Sequence, residues 1–122
     1  MNRDWSLIRK IALAIKDVFL SDSVGHLEAI RKINGEIDGH MIYNIRLMFD
    51  EDLIKGSMIE SPKGSIPNIL RLSARGHDFI DAVTDPEVWT RITHEREEGK
   101  NSVPLEIIFS LRNARLRKQY GL

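Results

Sequence analysis

One stretch decides the fold: residues 57–72, which read SMIESPKGSIPNILRL. Two short β-prone runs, 57–60 and 68–72, flank a segment at 61–67 that contains Pro62, Gly64 and Pro67. Because proline and glycine favour turns, this pattern predicts a β-hairpin whose tip lies at 61–67. In the segments before and after the hairpin, apolar residues recur every three or four residues, which is the spacing of a helix.

Three helices are predicted before the hairpin. Asp4 and Asp38 are predicted N-caps of the first and third helices, and Asn34-Gly35 predicts the end of the second. The first helix is predicted to end near Leu20 and to bury one face, made of Ile8, Ile11, Ala12, Ile15, Val18 and Phe19. The third helix is predicted to bury Met41, Ile45, Met48 and Phe49 and to expose a second, partly polar stripe of His40, Tyr43, Asn44 and Leu47.

Further helices are predicted after the hairpin, from near Ser73, from Asp85-Pro86 and from around Pro104. Three helices followed by a hairpin is the order of a winged helix-turn-helix. The predicted fold is therefore mainly α with a small β-hairpin, a winged helix-turn-helix with additional C-terminal helices. We expect one domain over 1–122, made of a three-helix part (1–54), a hairpin wing (55–73) and C-terminal helices (74–122).

Composition excludes several classes of protein. The 122 residues contain no cysteine, which excludes disulfides and thiolate chemistry. No stretch approaches the roughly 18 apolar residues of a membrane span, so we expect no membrane contact and a cytoplasmic protein. The 18 basic and 18 acidic residues cancel, but they lie in blocks of one sign.

Three blocks of the chain form a characteristic pattern: Arg3-Asp4 with Leu7-Ile8-Arg9-Lys10-Ile11, Tyr43-Asn44-Ile45 with Leu53-Ile54, and Leu72-Ser73-x-x-Gly76-His77-Asp78-Phe79-Ile80-Asp81-Ala82 with Val88-Trp89. Together they resemble domain of unknown function family 2513, winged-helix-like proteins of bacteria and phages. The resemblance implies the fold and a phage or prophage setting, and no chemistry. Asn44 stands where members often have His, and Asp52 where they often have Gly. Aspartate tolerates the left-handed backbone conformation, so the second change is compatible with the fold.

The winged-helix reading predicts a site for double-stranded DNA. The third helix would place His40, Tyr43, Asn44 and Arg46 in the major groove, and the hairpin would place Lys55, Lys63 and Arg71 on the phosphates. This hypothesis makes the protein a phage or prophage transcriptional regulator.

The charge of the third helix favours another function. Residues 36–54 carry five acidic groups and one basic group, and Asp50, Glu51 and Asp52 would repel phosphate. The alternative is a phage-encoded protein-binding module that inhibits or redirects a host protein, such as a defence or CRISPR component.

No motif predicts an enzyme, a cofactor or a metal site. The four histidines lack metal-ligand spacing, and Gly64 and Gly76 belong to no phosphate-binding loop. Asp78 and Asp81, three residues apart, are interpreted as surface residues, and His77 is predicted to fix the turn after the hairpin.

The last predicted helix carries four basic residues near its end, and their role has three alternatives. The residues are Arg112, Arg115, Arg117 and Lys118. They would bind nucleic acid, pair with the acidic segment 77–102 of a second subunit, or lie at the surface of a helix packed on its own domain. The second alternative predicts a homodimer through the C-terminal helices.

Overall fold

The structure is a computed structural model that describes residues 2–18, 23–97 and 103–122, with the side chains of 95–97 excepted. It comprises two compact units, Met1–His77 and Asp78–Leu122, which are described separately below. The expectation of a single domain over 1–122 stays a prediction.

The described residues form helices and one two-stranded antiparallel sheet. In chain order the elements are α1 (Trp5–Asp17), α2 (Ser23–Asn34), α3 (Gly39–Asp50), β1 (Ile54–Ser61), β2 (Gly64–Leu72), α4 (Ala74–Thr84), α5 (Pro86–Glu97) and α6 (Leu105–Gln119). The prediction of a mainly helical protein with one small hairpin is confirmed. No helix of the described ranges has the length and apolar character needed to cross a membrane.

The predicted N-caps at Asp4 and Asp38 and the predicted end of α2 are confirmed, whereas α1 ends at Asp17 and not near Leu20. The Asp4 carboxylate accepts a hydrogen bond from the Leu7 N–H at 3.1 Å, and the Asp38 carboxylate accepts one from the Met41 N–H at 2.9 Å. Gly35, just after α2, has a φ of +81°, which favours glycine. The predicted positions of Phe19 and Leu20 lie outside the described residues.

The core of the first unit forms where α1 packs against α2 and α3, and where β2 covers α1 and α2. Its buried apolar side chains include Ile8, Ile11, Ile15, Ile30, Met41, Ile45, Met48 and Ile69. Burial of each such side chain contributes about 1.5–3 kcal/mol. Phe49, predicted to face the core, is only half-buried.

The hairpin is longer than predicted, and its turn holds only Pro62 and Lys63. The prediction of a tip over 61–67 was wrong because Pro67, read as a turn residue, lies in β2 opposite Met58. In a two-stranded sheet, proline fits where its missing N–H would face away from the partner strand. Near the base, β2 has a bulge opposite Lys55 and Gly56, with Leu70 as the extra, unpaired residue. Gly56 has a φ of +131°, and a Cβ there would lie 2.0 Å from the Asn68 carbonyl oxygen.

Tight backbone packing joins the hairpin to α3 and α4. Asp52 has a φ of +59°, so this aspartate does occupy the left-handed region, at the position where the family that the sequence resembles often has glycine. The Ser73 hydroxyl donates to the Asp52 carbonyl and accepts from the Gly76 N–H at 2.8 Å. A Cβ on Gly76 would lie 2.0 Å from the Leu53 carbonyl oxygen. His77 is exposed, so the prediction that it fixes this turn was wrong: Ser73 and Gly76 do so.

The second unit begins within α4, at Asp78, and contains α5 and α6, which pack against each other. Its buried apolar residues include Phe79, Ile80, Ala82, Val83, Val88, Ile92, Val103, Leu105 and Ile108. The predicted cap at Asp85-Pro86 is confirmed, since the Asp85 carboxylate accepts from the Glu87 N–H at 3.1 Å. The same buried carboxylate accepts from Arg112 at 2.9 Å and from Arg115 at 3.2 Å.

Candidate binding surface

The residues predicted to bind DNA all lie in the first unit, but Asn44 is not on its surface. Asn44 is fully buried. Its side-chain oxygen accepts from the Asp4 N–H at 2.8 Å, and its amide donates to the His40 carbonyl at 3.0 Å. The prediction that Asn44 is exposed was wrong, because this amide ties the start of α1 to α3. A buried side chain with these partners has no free edge to offer a base.

The side chains of His40 and Tyr43 are partly exposed to solvent. The His40 Nε2 atom lies 3.3 Å from the Asp4 carboxylate, whose other oxygen caps α1. Tyr43 is half-buried on the next turn of the helix. A carboxylate therefore stands beside the first of the predicted DNA-reading side chains, where it would oppose a phosphate.

Arg46 connects α3 to the hairpin. Its guanidinium donates to the Glu60 carboxylate at 2.8 Å and to the Ser65 hydroxyl at 2.6 Å. Ser65 in turn donates to Glu60. Hydrogen bonds from Ser65 and then from Arg46 lower the pKa of Glu60 below its ordinary value. Arg46 is thus paired with an ionised carboxylate on the hairpin.

The hairpin cations differ in their surroundings. Lys55 pairs with Asp52 at 2.8 Å, and it stands directly across the sheet from Arg71. The Arg71 guanidinium donates to the Leu72 carbonyl at 3.0 Å, and Arg71 remains exposed. Lys63 lies in the turn at the far end of the hairpin, and its side chain makes no ion pair with any described residue.

An open cleft of about 490 Å³ lies between α3 and β1. Its charged lining residues are Arg46, Asp50, Asp52 and Lys55. Two cations face two carboxylates, and both cations are already in ion pairs. The cleft that would hold a DNA backbone between helix and wing has no net positive charge.

The outer face of the hairpin was not recognised from the sequence. Ile59 and Ile66 stand directly opposite each other in the sheet, so they share one face. The next pair on this face is polar, Ser57 opposite Asn68, and beyond it Leu70 is the extra, unpaired residue of the β2 bulge. The side chains of Ile59, Ile66 and Leu70 are 50%, 51% and 47% exposed, whereas Pro67 and Ile69 of β2 are buried. We call Ile59, Ile66 and Leu70 the outer apolar face.

A signal for the outer apolar face exists in the sequence. Apolar residues occur in both alternating rows of β2, Ile66 and Leu70 in one and Pro67 and Ile69 in the other, and apolar residues in both rows are typical of a strand covered on two sides. Reading Ile66 and Pro67 as part of the tip hid that pattern.

No metal centre is visible in the ranges the structure describes, where no group of three histidine, aspartate or glutamate side chains could hold an ion. His26 is buried, and its Nδ1 atom lies 2.8 Å from the Ile69 carbonyl oxygen. It connects α2 to β2.

Comparison with known proteins identifies the family. A family model described as "Hypothetical protein (DUF2513)" matches residues 2–102. The chain belongs to the DUF2513 family. In this DUF2513 chain the matched range includes α1 to α5, and α6 lies beyond it. No curated protein and no solved structure matches the chain.

Proposed function

We propose that this chain is a protein-binding module and that the outer apolar face of the hairpin is its contact surface. The observation that supports the proposal best is the exposure of Ile59 and Ile66 directly opposite each other on one sheet face, with exposed Leu70 further along the same strand. Large apolar side chains scattered singly over a surface need no explanation, but two of them paired across an exposed sheet face form an apolar patch, and such patches are typical of interaction sites. The opposite face of the same hairpin, which includes Pro67 and Ile69, is buried within the first unit.

The charges around this face indicate the chemistry of the partner's surface. Lys63 lies at one end of the hairpin, and Arg71 lies near the other. A partner with an apolar centre and carboxylates at its two edges would match this arrangement. We propose a cytoplasmic host protein as that partner, with the chain itself encoded by a phage or prophage.

DNA binding is the second candidate. The order of three helices and a hairpin favours it, and we propose that residues 1–73 form a winged helix in which Lys63 and Arg71 would reach phosphates. Carboxylates interrupt the cations between these residues and α3, since Glu60 pairs with Arg46 and Asp52 pairs with Lys55. This charge pattern favours a protein partner over a phosphate backbone.

A site-specific photo-crosslinker at Ile66 tests the proposal in the native host. We expect one dominant protein adduct. Val24, an aliphatic residue of α2 that is 71% exposed, is the matched control position and should give no such adduct. The adduct partner is then purified, and its affinity for the chain is measured with Ile59→Ser, Ile66→Ser and Val24→Ser.

The expected loss of affinity is about tenfold or more for each hairpin variant, corresponding to about 1.4 kcal/mol, with no loss for Val24→Ser. Equal crosslinking at Ile66 and Val24, or equal affinity of all variants, would overturn the proposal. In parallel, duplex DNA is titrated with the chain from about 50 mM salt upward. Binding that weakens steeply with salt, and weakens again in Lys63→Glu and Arg71→Glu, would establish the second candidate instead.

A further inference from the structure

The second unit carries a surface groove that the hairpin proposal does not use. It lies between α5 and α6 and has a volume of about 200 Å³. Its walls are Glu87, Val88 and Arg91 from α5, and Leu111, Ala114, Arg115 and Lys118 from α6. All of these residues belong to the unit Asp78–Leu122, so the groove is formed within one compact unit.

The sequence of α6 explains why a groove remains there. Leu105 and Ile108 are buried and point to one side of the helix. Ile107, Leu111 and Ala114 follow with spacings of four and three residues, which places them on another side. Ile107 is 43% exposed, and Ala114 is also exposed. A helix that packs on one neighbour needs a single apolar stripe, whereas α6 has a second stripe with only part of its area covered.

The charges at the groove differ in whether they are already paired. Arg115 donates to Asp85 at 3.2 Å and lies 3.0 Å from the Glu87 carboxylate. Arg115 therefore connects α6 to the start of α5. Arg91 and Lys118 are exposed, and neither has an ion pair within the part of the chain that the structure describes. The groove thus combines an apolar floor with two available cations.

The size and chemistry of the groove indicate its occupant. About 200 Å³ is below the roughly 300–1,000 Å³ of small-molecule sites. It suits one or two apolar side chains inserted from a partner. Nucleic acid would use the cations but leave the floor of Val88, Leu111 and Ala114 without a contact.

We propose that the α5–α6 groove binds an acidic peptide segment. One large aliphatic side chain of the segment contacts Leu111 and Ala114, and its flanking carboxylates pair with Arg91 and Lys118. This site is independent of the hairpin surface, so the chain has two separate binding surfaces, one in each unit.

Fluorescence anisotropy with a labelled peptide tests the proposal on the full chain. The probe is a short acetylated peptide with a central Leu-Leu pair flanked on each side by two glutamates. Two control peptides replace either the leucines by serine or the glutamates by glutamine. We expect binding of the probe and at least tenfold weaker binding of both control peptides, because the groove requires the apolar group and the charges together.

The variants Arg91→Glu and Lys118→Glu should each weaken probe binding about tenfold. Arg117→Glu is the matched control, since Arg117 is an exposed cation in the same last turn of α6 but does not line the groove. It should change the affinity less than twofold. Circular dichroism of all three variants verifies that α6 is retained.

Three outcomes would overturn the proposal. One is failure of the probe to bind at about 1 mM, the weak end of specific affinity. The second is an equal loss in Arg117→Glu, which would indicate general attraction of anions to the end of α6. The third is a concentration-dependent dimer that Lys118→Glu dissolves while the probe does not bind, which would assign the groove to a second copy of the chain. None of these outcomes depends on the hairpin, so the function proposed for that surface would be unaffected.

Discussion

Arginine–carboxylate clusters occur in both units, and they lie in opposite environments. In the first unit, Arg46 and Glu60 join α3 to the hairpin while both side chains stay largely in solvent. In the second unit, Arg112 and Arg115 converge on Asp85, whose side chain is only 3% exposed. The atoms and distances are similar, but only in the second unit is the carboxylate withdrawn from solvent.

Desolvation decides what each cluster does. An exposed pair gains little, because water and salt screen it and both side chains lose freedom. A buried carboxylate with its partners removed is left without compensation, so the partners become essential to the fold. Asp85 is therefore a structural residue, whereas Glu60 mainly sets the charge of a surface. Four predictions test this difference.

The largest effect is expected for Asp85→Ala. The substitution removes the cap of α5 and leaves Arg112 and Arg115 without their shared carboxylate, so the free energy of unfolding should fall by about 3 kcal/mol. Urea denaturation of the full chain measures the change. Asp81→Ala, at an exposed aspartate of α4, is the control and should cost less than about 0.5 kcal/mol. A loss below about 1 kcal/mol for Asp85→Ala would mean that burial does not distinguish the two clusters.

Asn44→Ala should have the next largest effect, although the residue is uncharged. It removes the buried amide that accepts a hydrogen bond from the Asp4 N–H and donates one to the His40 carbonyl, and we expect a loss of about 2 kcal/mol. Hydrogen exchange should show faster exchange of the first-turn amides of α1. Asn113→Ala, at an exposed asparagine of α6, is the control. If Asn44→Ala kept its stability and instead abolished binding of a partner, Asn44 would be a surface residue after all.

Acid should weaken the second unit through Asp85. Burial alone would raise the pKa of Asp85, but hydrogen bonds from Arg115, the Glu87 N–H and Arg112 outweigh burial, so the pKa lies below its ordinary value. The resulting stability is fully present above the ordinary pKa and is lost as the pH falls through the lowered one. Unfolding of the chain and of Asp85→Asn is compared from about pH 7 to about pH 2.

The difference in stability between these two proteins should shrink only at the acidic end. Added salt should leave the difference at neutral pH nearly unchanged, because a buried pair is screened much less than an exposed one. A difference that stayed constant down to the lowest pH would show that the Asp85 carboxylate is not the group responsible.

Local signals in the sequence predicted much of this fold. The caps at Asp4, Asp38 and Asp85 could be read from single residues because each carboxylate bonds to an N–H two or three positions away. The left-handed Asp52 could be anticipated because a glycine is common there in the family that the sequence resembles. Such features depend on neighbours in the chain.

The features that were missed depend on residues far apart in sequence. Asn44 is buried by the backbone of Asp4, forty positions away, and no periodicity within α3 reveals that contact. The basic residues of α6 left three alternatives open, and Arg112 and Arg115 are used by Asp85 of the same chain. A homodimer through the C-terminal helices stays a prediction. The outer apolar face was missed because one wrong turn boundary concealed the alternation of β2.

The smallest effect on stability, and the most informative one for function, is expected for Glu60→Gln. Its pair with Arg46 is exposed, so the urea midpoint should not change measurably. The substitution removes the negative charge that pairs with Arg46 at the cleft between α3 and β1, where a DNA backbone would lie in a winged-helix complex. Glu28→Gln is the control, because Glu28 pairs with Arg31 on α2 in an equally exposed position. Under the DNA hypothesis, Glu60→Gln should bind duplex DNA several-fold more tightly than the original chain at low salt, and Glu28→Gln should not. Under the protein-binding proposal, neither variant gains DNA affinity, because the surface that matters lies on the other face of the hairpin.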